Sequence, residues 1–334
     1  MNIQFVIRNL RTHLILFLLI LASSVAYSQV KDSVYTRKQL EPGVKRILID
    51  GKFWVWTQKI GDGKINVLLL HGGPAQSHEY FEIFSKYLPN NGITIYYYDQ
   101  FGSYFSQQPT QQQLADTSIW KVSRYVDEIE QVRKGLKLEK LFIYGHSYGA
   151  LLALAYSYKY QTHVKGMIFS DMNPFPKDFD QRMLFINKQT DSLLLAAKQF
   201  NILMQNKQQG LSYDHKIYQM AFDSAFTRNF VVRLDTLPDA LIRTKAHKNY
   251  EVAQKIGPST FSLNYGAMIP NINVPVLLIR GQYDFIISTE QVKNLNKLFP
   301  KSEYYIVPNA GHVCFDDNPN GYFPGLIAFI KRNN

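Results

Sequence analysis

Short runs of β-branched and aromatic residues alternate with longer stretches of helical period along most of this chain, and that alternation limits the fold more than any single motif does. "KRILIDGKFWVWTQ" reads as a hairpin turning at Asp50-Gly51, a dipeptide that accepts the positive φ angles of a tight two-residue turn. "INVLLLHG" and "ITIYYYDQ" read as buried strands, and between them Tyr80, Phe84 and Leu88 fall at helical spacing over residues 76–88. "VSRYVDEIEQVRKGL" predicts an amphipathic helix with Val122, Tyr125, Ile129 and Val132 on its apolar face. The strand "LFIYG", a helix from about Tyr148 to Tyr160 and the strand "VKGMIFSD" follow. Strands separated by helices pair in parallel, so the order predicts a parallel sheet covered by helices.

The alternation stops after Asp171 and resumes near residue 271 with "VPVLLIRGQYD", a helix near 288–299, "SEYYIVPNAGH" and a last helix at 320–331. Residues 172–270 are rich in Gln, Asn and Lys, with helical stretches such as "QRMLFINKQTDSLLLAAKQFNILMQ" and no convincing strand. The late strands are needed to complete the sheet, so the reading is one core domain, 29–171 and 271–334, interrupted by a helical cap at 172–270. With 46% hydrophobic and 19% charged residues in 334, the chain has apolar material for a large core.

Residues 1–28 stand apart from that core. Arg8 and Arg11 precede an apolar run from Leu14, and Ala26-Tyr27-Ser28 places small residues where a signal peptidase reads, which predicts a leader cut before Gln29 and a periplasmic or secreted protein. The run is short for a membrane span, which needs roughly 20 residues, so no membrane contact is expected after cleavage. Cys314 is the single cysteine, which excludes an intrachain disulfide and a metal site built on several thiolates. It reads as a small packed side chain. The formal charge of +11 is dispersed over the chain, not gathered in a stripe, and nucleic acid is not an expected partner.

Gly145-His146-Ser147-Tyr148-Gly149 lies between a strand and a helix and matches Gly-x-Ser-x-Gly, the turn that lifts a nucleophilic serine above a sheet. A serine hydroxyl needs a base to take its proton, and the base needs a carboxylate to fix its tautomer. Asp284 follows the strand "VLLIRGQY" and His312 follows "YYIVP", each just past the carboxyl end of its strand and in the order Ser, Asp, His. His163, His215 and His247 lack such a context and read as surface or cap residues. "HGGP", residues 71–74, follows "INVLLL" where a loop supplies one oxyanion donor, so Gly73 and Tyr148 are the candidate backbone donors.

With these motifs in place, the chain resembles the proline iminopeptidase family of α/β-hydrolases over nearly all of its length past the leader. The resemblance is carried by "HGGP", "YYYDQFGSYFSQQP", "DTSIWKVSRYVDEIEQVRKGLKLEKLFIYGHSYGALLALAYSYKY", "GQYD" and "AGH". It implies an α/β-hydrolase fold, a mostly parallel eight-stranded sheet flanked by helices with a helical cap between strands 6 and 7. It also implies no metal or organic cofactor, and release of an N-terminal residue, typically proline, from short peptides. Acidic cap residues of the family bind the free amino terminus; "VVRLDTLP" aligns one of them with Asp235. A second family segment, Gly-Pro-Asn-Glu-Phe, is matched by Gly257-Pro258-Ser259-Thr260-Phe261, so Thr260 replaces the glutamate and Glu251 upstream is the compensating candidate. A small peptide or an amino-acid amide or ester is the expected substrate. The alternatives are a carboxylesterase or amidase without amino-terminus recognition, and a non-catalytic receptor using the cap cleft.

Overall fold

Asp50 and Gly51 both take positive φ, 55° and 64°, and turn strand β1 (Val44–Ile49) into β2 (Phe53–Ile60). The computed structural model describes residues 41–175 and 239–334. The leader, His215, Asp235 and the helical stretch expected over residues 181–205 lie outside the described residues. Strands β3 (Ile65–Leu70), β4 (Ile93–Asp99), β5 (Leu141–His146), β6 (Val164–Ser170), β7 (Val276–Gly281) and β8 (Ser302–Val307) complete one sheet in the order β1-β2-β4-β3-β5-β6-β7-β8. From β4 to β8 every pair is parallel, while β2 and β4 are antiparallel. The mostly parallel eight-stranded sheet is the one expected, and residues 171–275 separate strands 6 and 7.

Burial explains why the strands read as unbroken apolar runs. Every residue of β4, β5 and β7 is buried, which happens only when helices cover both faces. The edge strand β8 exposes the consecutive residues Glu303 and Tyr304. The described helices are α1 (Gln111–Ala115), α2 (Val122–Gly135), α3 (Tyr148–Tyr160), α4 (Asp239–Ala246), α5 (Tyr250–Ser262), α6 (Thr289–Leu298), α7 (Cys314–Asp317) and α8 (Pro319–Arg332). Helix α2 buries Val122, Tyr125, Ile129 and Val132 as its period requires. Its buried Glu128 accepts the Phe101 N–H (2.9 Å) and the Tyr98 hydroxyl and pairs with Arg124 (2.6 Å), fixing the helix to the end of β4. Helix α3 is buried all round from Tyr148 to Ser157, as befits the helix that follows the central strand.

One element differs from its expected form. Residues His78–Lys86 form a 3₁₀ segment. Its buried residues, His78, Glu79, Tyr80, Phe81 and Phe84, face the core on more than one side, and Leu88 beyond it is buried as well. Phe84 then meets Tyr144, Phe315 and Phe323 with ring centroids 5.1 Å away in each case, edge to face. This aromatic cluster lies beneath the loops that carry the candidate site.

Candidate active site

The chain reverses direction across the sheet between β3 and β5, and the carboxyl ends of adjacent parallel strands at such a switch point form a crevice. Ser147 stands there with φ 54° and ψ −126°, a strained conformation for a residue with a side chain. Its flanking glycines are required by close backbone approach. A Cβ on Gly145 would sit 2.2 Å from the Gly149 carbonyl oxygen, and one on Gly149 would sit 2.1 Å from that of Leu70. The elbow is therefore pressed against the end of β3, and the Ser147 N–H extends the ladder to β6 by donating to the Ser170 carbonyl at 2.9 Å.

The loop after β3 lies against the same turn. A Cβ on Gly72 would come within 3.0 Å of Ser147 Cβ. The Gly72 N–H donates to Tyr80 Oη at 2.7 Å, which leaves Gly73, at φ 119°, as the next donor in the loop. Tyr148 opens α3, so its N–H is among the four that a helix leaves without an intrahelical acceptor. Both candidate donors thus sit on segments that converge on Ser147.

His312 Nδ1 lies 3.1 Å from Asp284 Oδ1, with both side chains almost fully buried. Asp284 Oδ1 also accepts the Ile286 N–H at 2.8 Å, which fixes the carboxylate. The two loops meet because Gly281 has no side chain: a Cβ there would be 2.0 Å from the Gly311 carbonyl oxygen.

Sequence reasoning missed His146, the residue before the serine. Its Nε2–H donates to the His312 carbonyl at 2.8 Å, and its Nδ1 faces Tyr80 Oη at 3.3 Å. The rings of His146 and His312 are 4.8 Å apart. Burial, then the neighbouring His312, hold His146 well below the usual imidazole range, so it stays neutral and its tautomer is set by these partners. A chain of bonds from Gly72 through Tyr80 and His146 thereby ties the oxyanion loop to the His312 loop. The available signal was a histidine at the variable position of the elbow, which its motif leaves unassigned.

The other candidates have the following surroundings. Glu251 is exposed in the first turn of α5, where a carboxylate complements the helix dipole. Thr260 is 2% exposed and donates to the Ile256 carbonyl at 3.2 Å. His163 is half-buried beside Glu130 (3.3 Å). His247, read as a surface or cap residue, is half-buried, bonded to Glu79 at 2.6 Å and stacked on Tyr104 at 4.0 Å. Cys314 is fully buried and unreactive in character, with burial pushing its thiol up. Among the described residues, the trio close enough to share a cation is Asp171, Asp284 and His312, and two of its members are already bonded to each other. A cleft lined by Lys52, Phe53, Gln112 and Arg124 lies beside the hairpin and shares no residue with this site.

The chain belongs to the α/β-hydrolase family, whose model, described as "alpha/beta hydrolase fold", matches residues 65–319. Within that class it is proline iminopeptidase-like. It is 33% identical over 298 residues to the proline iminopeptidase of Flavobacterium johnsoniae, covering 85% of this chain and 96% of that one. It is 34% identical over 294 residues to the proline iminopeptidase of Elizabethkingia meningoseptica, covering 84% and 95%. The crystal structure of proline iminopeptidase from Mycobacterium smegmatis superposes with a TM-score of 0.70 at 18% identity, covering 87% of this chain and 98% of that one, a likeness of fold. Fold and relatives together make the chain a hydrolase.

Proposed function

We propose that the chain is a secreted or periplasmic serine aminopeptidase that releases N-terminal proline or another small residue from short peptides, with Ser147, His312 and Asp284 as its triad. The observation that carries the reading is the buried His312–Asp284 bond beside a strained serine elbow, in a chain whose relatives bear the name proline iminopeptidase. Because Asp284 holds Nδ1, His312 is left with Nε2 to take the Ser147 proton as the hydroxyl oxygen attacks the scissile carbonyl. The N–H groups of Gly73 and Tyr148 receive the developing oxyanion, each contributing about 3 kcal/mol in the transition state. His312 returns the proton to the departing amine, and water, deprotonated by the same imidazole, clears the acyl-enzyme. Asp235 and Glu251 are the proposed carboxylates for the substrate ammonium. No metal or organic cofactor enters this scheme.

A second reading, an esterase or amidase without amino-terminus recognition, is favoured by one observation: the buried hydroxyl of Thr260 bonds to its own helix. One panel separates the two. Residues 29–334 are assayed on proline and other amino-acid naphthylamides, on their N-acetylated forms and on short acyl nitrophenyl esters, beside Ser147→Ala. Proline turnover that disappears on acetylation, and drops at least about 10⁴-fold in Ser147→Ala, is the expected result. Ester turnover alone, lost in the same variant, moves the protein to the esterase reading; turnover that survives Ser147→Ala sinks both. The proposed localisation predicts a mature protein beginning at Gln29 in the periplasmic or secreted fraction, read by intact mass.

A further inference from the structure

A second carboxyl group stands behind the triad with no part in the scheme above. Asp171 directly follows β6 at φ 55°, one strand over from the strand that precedes Asp284. Its Oδ1 accepts the Gly281 N–H at 2.9 Å, and its Oδ2 lies 2.6 Å from Ser170 Oγ and 3.0 Å from the Cys314 thiol. One side chain therefore touches both the strand end before Asp284 and the turn after His312. Single ligating atoms of Asp171, Asp284 and His312 all fall within 4.8 Å of one another, and Asp284 Oδ2 is buried with no hydrogen-bond partner. Two buried carboxylates so close do not both hold a charge.

We propose that Asp171 and Asp284 form a carboxyl pair with one negative charge facing His312, in which Asp171 is the neutral member and the reserve partner of the imidazole. The proposal rests on the triad reading. Asp284 carries the charge because it alone has the Nδ1–H of His312 and a backbone N–H on one oxygen. Asp171 accepts from a backbone N–H, a hydroxyl and a thiol, bonds that favour its charged form, but full burial and the nearby Asp284 carboxylate outweigh them. The titratable groups facing the pair are few. They are His312, His146 with Nε2 4.0 Å from Asp171 Oδ2, Cys314, Tyr80, Tyr322, Asp317 across Cys314, and Arg280, which donates to the Asp284 carbonyl at 3.1 Å. Burial keeps His146 neutral and the thiol and both phenols protonated, while the buried Arg280 guanidinium, always charged, lies on the Asp284 side of the pair and favours the negative charge there. Burial, then the charge on Asp284, push the Asp171 carboxyl well above the usual range. In the native enzyme Asp171 is a positioning residue for the two loops. When Asp284 loses its charge, the Asp171 proton passes to solvent and its carboxylate stabilises the His312 imidazolium.

The test uses a fluorophosphonate, which needs no substrate recognition: Ser147 Oγ bonds to phosphorus, the P–F bond breaks, fluoride leaves, and the serine proton goes to His312. Labelling rates are measured from pH 5 to 10 for the native chain, Asp284→Asn, Asp284→Asn/Asp171→Asn and Ser147→Ala. The expected result is a roughly 10- to 100-fold slower rate in Asp284→Asn at neutral pH, short of the 10⁴-fold loss that follows when a triad acid has no substitute. That rate climbs with pH through an added proton release, and the double variant is at least about tenfold slower again and lacks the climb. Equal rates and equal pH profiles in the single and double variants would overturn the proposal. If the double variant does not fold, judged by circular dichroism, the Asp284→Asn profile decides: an added alkaline limb supports the reserve acid, and its absence rejects it. Labelling that persists in Ser147→Ala would reject the triad itself, an outcome distinct from either.

Discussion

Ser147 and its two glycines show how one side chain is presented at the expense of its neighbours' freedom. Gly149 faces the backbone oxygens of Leu70 and His71 at 2.1 and 2.8 Å from a notional Cβ, and neither is the tip of a flexible side chain. Gly149→Ala is therefore expected to destabilise the fold by about 3 kcal/mol or more, read as a lower midpoint in urea. His146 acts through its neighbour: removing it takes away the bond that holds the His312 carbonyl. His146→Ala is expected to lower kcat about 10- to 100-fold with KM little changed, as for any small misplacement of a general base. An equal loss of folding stability and no change in kcat of the folded fraction would count against that role.

Between elements, an ion cluster centred on the buried Glu79 joins α4 to the 3₁₀ segment that follows the oxyanion loop. Glu79 Oε1 pairs with Arg243 at 2.5 Å, and Oε2 with His247 at 2.6 Å and Ser77 Oγ at 2.8 Å, while Arg243 reaches on to Glu82 and Asp239. Burial pushes Glu79 up, but His247, Ser77 and Arg243 together outweigh it and leave its carboxyl below the ordinary value of 4.5. A carboxyl depressed in the folded state stabilises above its unfolded value and loses that contribution as pH falls through the folded one. Glu79→Gln is expected to cost about 1–2 kcal/mol at pH 7, since Arg243 and His247 are a third exposed and Arg243 keeps Glu82 and Asp239, and the gap to the native chain narrows in melts below about pH 4. The same variant is expected to open α4 to limited proteolysis before the sheet is lost.

For the molecule as a whole, the pH response of stability has an opposing contribution near the site. Burial, then Asp317, raise the Asp316 carboxyl to about 7, with Lys86 acting against them. The folded state holds this proton where the unfolded chain has released it, so stability falls as pH rises from about 4 towards 7. Asp316→Asn is expected to raise Tm at pH 8 by a few degrees and leave it unchanged near pH 4, measured by calorimetry. The sequence by itself determined the alternation, the Asp50-Gly51 hairpin, the sheet strands, helices α2, α3, α6 and α8, and the spacing of Ser147, Asp284 and His312 past strand ends. Each of these is written in residues a few positions apart, where turn chemistry and a period of 2 or 3.6 suffice. The tertiary structure alone decided the 3₁₀ form of residues 78–86, the Gly72–Tyr80–His146–His312 chain, the grip of Glu79 on α4 and the placement of Asp171 behind Asp284. Those contacts join residues far apart in the chain, and they exist because β3, β5, β6, β7 and β8 lie side by side in an order that no local pattern encodes.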